Sequence, residues 1–213
     1  DVAKQPLAEA FKAWALIALA IGANVYGIAG VYFSNIFMIS YATQYLQLDR
    51  AMVLDCMFWV AVLQFFVQLG AATLADRFGT RRMLVILAAF AVVVPFIMLP
   101  LVRMGEAHTV FAGVAIATLA ESGYYAIIAG FVSGRFAARI RYTAISLSYQ
   151  VCGAFAGGLT PLLATVLADR FFPLWWPMAI FYAGFAALSL MCVLWIGKGR
   201  PVAEEPALDA RAA

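Results

Sequence analysis

Long apolar runs separated by short polar clusters dominate the chain, and within each run the hydrophobicity is continuous, with no strict alternation. Six runs stand out, at about 13–41, 56–75, 83–102, 109–134, 142–168 and 171–197. A hydrocarbon core about 30 Å thick needs roughly 20 helical residues to cross it, so each run is long enough for one helical crossing. Strands of a closed barrel would alternate between lipid-facing and lumen-facing residues, so the pattern predicts helices. The expected organisation is a cytoplasmic N-terminal segment at 1–12, a six-helix transmembrane domain at 13–197 and a cytoplasmic tail at 198–213. Pro201, Glu204, Glu205, Pro206 and the closing alanines predict disorder in that tail.

Composition sharpens this picture. Of 213 residues, 66% are hydrophobic and only 12% charged, and the mean hydropathy is +0.94. A water-soluble domain carries about 25% charged residues, so the solvent for most of this surface must be lipid. The net charge of +3 matters less than its placement. Eleven of the fourteen Lys and Arg residues fall at Lys4, Lys12, Arg77, Arg81, Arg82, Arg135, Arg139, Arg141, Lys198, Arg200 and Arg211. The loops of the other side hold Arg50, Arg103 and Arg170, one apiece. Positively charged flanks stay in the cytoplasm, so both termini are expected there. Trp175 and Trp176, beside Pro173 and Pro177, and Tyr41 and Tyr45 are then expected to anchor at the outer interface. No cleavable signal peptide is visible ahead of the first run. Cys56, Cys152 and Cys192 lie in apolar runs without close pairing or a His partner, as buried small hydrophobes do.

The most specific local signal is Leu74-Ala75-Asp76-Arg77-Phe78-Gly79-Thr80-Arg81-Arg82, between the second and third runs. Gly79 permits a tight reversal, Asp76 lies at a helix end where it can pair with an arginine, and the arginines can bond helix carbonyls or lipid phosphates. The segment resembles the loop signature of the major facilitator superfamily, with its D-R-x-G core and following basic pair; Ala72 and Thr80 depart from that pattern. A second stretch, Arg139-Ile140-Arg141-Tyr142-Thr143 followed by Ser146, Tyr149-Gln150, Gly157-Gly158 and Thr160-Pro161, resembles the metabolite:proton symporter family, near shikimate permeases. Tyr32, Phe37 and Ser40-Tyr41-Ala42-Thr43 resemble that family's seventh helix, and Pro6 and Glu9 the end of its central loop. Gly27 and Ile28 stand where the family often has an acidic residue and a polar neighbour, and Gly134 and Ala137 where it often has an acid and a proline.

The resemblance covers nearly the whole chain but only the second six helices of a twelve-helix fold. It implies an all-α integral membrane protein whose two three-helix repeats have inverted topology. It also implies proton-coupled symport of a small organic acid or related metabolite across the bacterial inner membrane. The proton would be the coupling ion, with no cofactor. The resemblance leaves the first six helices of that fold unmatched, so the expected partner is an N-terminal half or a second copy. Residue 1 is not Met, which favours a cut or trimmed chain. The alternative is a non-transporting scaffold or regulatory subunit that retained the fold.

Glu121 is the one charge inside an apolar run, about twelve residues into the fourth. An ionised carboxylate at that depth costs several kcal/mol, so it is expected to face a cavity or to carry a proton. A coupling or substrate-site role and a neutral structural hydrogen bond both fit. Tyr124 and Tyr125 are expected to share its face. Asn24 and Asn35, eleven positions apart, point to one face of the first run; with Gln64, Gln68 and Gln150 they could line a polar cavity, although each alone fits interhelical packing. Asp76, Arg77, Gly79, Arg81, Arg82, Arg139 and Arg141 are the candidate cytoplasmic gate. Enzyme chemistry is not expected: there is no nucleophile-base pair, phosphate loop or metal cluster, and His108, the single histidine, falls in an outer loop.

Overall fold

The computed structural model describes residues 14–196; the N-terminal segment and tail expected at 1–12 and 198–213 lie outside the described residues. Six long helices follow in order: α1 (Trp14–Tyr45), α2 (Arg50–Phe78), α3 (Thr80–Arg103), α4 (Ala107–Ser133), α5 (Ile140–Phe171) and α6 (Trp176–Ile196). Their ends differ from the apolar runs in an instructive way. α2 begins before the apolar run because Asp49 caps it, its carboxylate accepting from the Met52 amide at 2.9 Å. α1 continues to Tyr45 through a π-helical stretch at its end. α6 starts at Trp176, not at 171, since Phe171 closes α5 and residues 172–175 make the turn.

The link between α2 and α3 is a single residue, Gly79, at φ 91°. That backbone is open to glycine and costly for any side chain, so the tight reversal expected of the loop is realised.

The helices pack as a row with two helices behind it. α4 and α1 touch at the centre; α2 leans on α4 and α5 on α1; α3 packs against α4, and α6 against α1. Behind the row α3 and α6 meet each other. Exchanging α1–α3 with α4–α6 reproduces each of these pairings. Since the two triplets are separated by an odd number of crossings, they run in opposite senses: two inverted repeats in a six-helix membrane bundle of the major-facilitator type. Large apolar side chains such as Phe58, Phe65, Phe90, Leu162 and Trp195 face outward, which is favourable only in lipid.

α1 is not uniform. It passes through two π-helical stretches, Tyr32–Phe37 and Tyr41–Tyr45. Phe33, Phe37, Tyr41 and Tyr45 recur every four residues, a spacing that drifts around a 3.6-residue helix and is brought back by the wider π turn. Their rings stay in one column, 4.9, 5.7 and 5.8 Å apart. Tyr41 is therefore fully buried within the bundle and is not the interface anchor expected of it.

Candidate functional site

Glu121 is fully buried at the middle of α4. Two hydroxyls on other helices donate to its Oε2: Ser34 of α1 at 2.8 Å and Tyr182 of α6 at 3.1 Å. Its Oε1 has no hydrogen-bond partner among the described residues. The Tyr182 hydroxyl lies 3.4 Å from that of Tyr26 on α1, and the rings of Tyr26 meet those of Tyr124 and Tyr182 edge-on at 5.5 and 5.8 Å. Gly30 makes room for this cluster, since a Cβ there would stand 3.2 Å from Glu121 Oε2 and 3.3 Å from the Tyr26 ring.

The cluster thus ties α1, α4 and α6 at one depth. Nearby, the Ser189 hydroxyl donates to Gly22 O and accepts from the Tyr26 amide, so α6 is stitched to α1 a further turn along. Thr118 and Ser122, one turn before Glu121 and one residue after it, are buried with hydroxyls that have no partner among the described residues. Burying polar atoms unpaired is costly, so their retention beside the one intramembrane acid marks this stretch of α4 as polar for a reason other than packing.

The structure separates several residues that the sequence grouped. Tyr124 turns away from the carboxylate and donates to Ala23 O at 2.6 Å. Tyr125 is 40% exposed, its ring against Gly27, where a Cβ would come within 3.3 Å. The position where the resembled family often carries an acid is thus closed by an aromatic ring. Asn24 is buried and donates to Ala20 O at 2.9 Å, while Asn35 is half-buried. Gln64 and Gln68 on α2 and Gln150 on α5 lie on opposite edge helices, outside the Glu121 cluster. Within these six helices the polar residues do not converge on one lumen.

At the other end, Asp76, Arg77, Gly79, Arg81 and Arg82 are all exposed, and Asp76 makes no ion pair among the described residues. Arg141 donates through Nε to Phe136 O at 3.3 Å, bracing the start of α5; Arg139 is described only as backbone. His108 is exposed in the first turn of α4. At the opposite end of the bundle from Gly79, Tyr45 donates to Asp169 and Arg103 to Pro173 O, closing the ends of α1 and α3 onto the end of α5 and the turn that follows it. Among the described residues no group of His, Cys, Asp and Glu could hold a metal.

The chain is thus a six-helix membrane bundle of the major-facilitator type, built of inverted repeats, with Glu121 sealed between its central helices. Its curated relatives bear the names of transporters. The chain is 29% identical over 170 residues to the shikimate transporter of Escherichia coli (strain K12), covering 77% of this chain and 38% of that protein. It is 25% identical over 162 residues to the proline/betaine transporter of Salmonella typhimurium, covering 75% and 32%. The chain therefore spans well under half the length of these relatives. No family model matches it, and no solved structure does.

Proposed function

We propose that these six helices form one half of a proton-coupled symporter for a small organic acid or related metabolite, in the bacterial inner membrane with both termini cytoplasmic. The observation that carries this reading is Glu121: fully buried, held at one oxygen by two hydroxyls, open at the other. A carboxyl group so placed accommodates a proton far more readily than a permanent charge, and a group that exchanges a proton between two aqueous sides is what coupling requires. The substrate class draws support from the relatives, since shikimate, proline and betaine are all small carboxylic acids.

The row α2–α4–α1–α5 offers the face on which a second six-helix unit, either an N-terminal half or another copy of this chain, completes the path. In the alternating cycle the halves rock about a midplane site. The cytoplasmic closure is stabilised by the Asp76, Arg77, Gly79, Arg81, Arg82 turn with Arg139 and Arg141, the exposed charges of the turn docking on the partner half. Tyr125, Asn35 and Gln150, exposed or half-buried, are the candidates of this unit to meet the substrate from α4, α1 and α5.

The test is uptake into proteoliposomes of shikimate-like, dicarboxylic and aromatic acids, with and without an inward proton gradient. Gradient-stimulated uptake of one of these acids is expected. A folded protein that moves none of them under any gradient would instead favour a scaffold or regulatory subunit.

A further inference from the structure

Ser34 does not reach Glu121 from an ordinary helix. It sits inside the π-helical stretch Tyr32–Phe37, and from there its hydroxyl donates to Glu121 Oε2. A π turn is rare and appears mostly as a single widened turn inside an α-helix, where packing against neighbours can hold it. Here they do so from both flanks. On one flank Ser34 is bonded to Glu121, and the Phe33 ring lies 4.8 Å from that of Tyr182. On the other the Tyr32 ring rests on Gly157 of α5, where a Cβ would come within 3.1 Å. Gly157 itself ends a second π stretch, Gly153–Gly157, so the widened turn of α1 touches the end of another across the α1–α5 contact.

We propose that Ser34 is a positioning residue that links occupancy of Glu121 to the register of α1 against α5. This rests on, and deepens, the reading of Glu121 as the coupling carboxyl. An ionised carboxylate accepts from Ser34 and Tyr182 with bonds roughly twice as strong as a neutral acid does. When Glu121 takes a proton, the hold on the π turn weakens and the α turn competes. Losing the extra residue would carry the outer end of α1, with Tyr45 and its bond to Asp169, round by about one residue's rotation, roughly 100°. The ionisable groups facing Glu121 are tyrosines, Tyr26 from α1 and Tyr182 from α6; Tyr124 on its own helix is turned to Ala23 O. Among the described residues no Lys, Arg or second acid bonds to the carboxyl, so the switch answers to Glu121 itself.

The experiment is hydrogen exchange of the full chain in liposomes, at mildly acid and mildly alkaline pH, corrected for the intrinsic pH dependence of exchange. In the unmodified protein the amides of residues 32–37 are expected to exchange roughly three- to tenfold faster at acid pH, the scale of one lost hydrogen bond. Ser34→Ala should exchange fast at both, and Glu121→Gln should lose the difference. Tyr182→Phe, which keeps the ring and removes the second donor, should move the same way by less. Gly157→Ala, which presses on Tyr32, should quicken the stretch at both pH values. A pH-dependent difference that survives Ser34→Ala and Tyr182→Phe unchanged, or one absent from the unmodified protein, overturns the proposal. Uptake measured on the same liposomes separates the two readings: gradient-independent uptake with the exchange pattern intact would end proton symport and leave the role of Ser34 standing.

Discussion

Glu121 has no room to spare. Its Oε2 accepts from two hydroxyls and lies where a Cβ on Gly30 would stand 3.2 Å away, so each of these positions sets where the carboxyl points. Gly30→Ala adds one methyl group 3.2 Å from that oxygen. The bundle can absorb this by a shift of a few tenths of an ångström, but the carboxyl cannot keep both donors while it moves. Gly30→Ala is therefore expected to retain the fold, judged by its melting in detergent, and to lose uptake several-fold; unchanged uptake would mean that the carboxyl's placement is not critical. The acid itself was legible in the sequence because a lone charge in an apolar run has few explanations. Its partners were not, because Ser34 and Tyr182 lie 87 and 61 positions away and nothing local marks them. The available signal was weaker: Tyr26 and Tyr182 are phenols in mid-span, and a buried phenol needs a partner. Tyr124 and Tyr125 were the natural choice on spacing alone, yet Tyr124 is turned to Ala23 and Tyr125 to the outer face.

Among the elements, the helices were the most legible feature, since hydropathy and bilayer thickness together leave little freedom. Their irregularities were not. The π stretches of α1 and α5 follow from side chains on neighbouring helices, and a four-residue aromatic spacing reads in the sequence as imperfect helical periodicity. The α2–α3 turn lies between these extremes, its glycine marking the reversal in advance. Replacing Gly79 by Ala places a side chain at φ 91°, which costs about 1–3 kcal/mol. No neighbour lies within 4 Å of the added Cβ, so the cost should be backbone strain alone. A lowered melting temperature with the helix content intact is the expected result; an unchanged one would mean that the one-residue link is not held in this conformation.

For the molecule as a whole, the pairing pattern of the helices is what gives the site its setting. Each triplet supplies one central helix, one edge helix and one rear helix, and the central pair α1 and α4 holds the carboxyl between them with α6 closing the rear. The sequence indicated this arrangement only through resemblance, since hydropathy counts crossings and does not say which helices touch. It also suggested a lumen lined by Asn24, Asn35, Gln64, Gln68 and Gln150, and the helix order shows why these do not meet: α2 and α5 occupy opposite edges of the row. A second six-helix unit on that face would bring the edges into a common path, which is why a half-carrier is the reading that suits both the exposed polar residues and the sealed acid.

The claim at the centre of this account is that Glu121 carries the coupled proton, and the most direct measurement is uptake of shikimate-like, dicarboxylic and aromatic acids into proteoliposomes by the unmodified protein and by Glu121→Gln, each with and without an inward proton gradient. The account predicts gradient-stimulated uptake for the unmodified protein, and a Glu121→Gln protein that folds and inserts but gains nothing from the gradient. Equal stimulation of both proteins would contradict it.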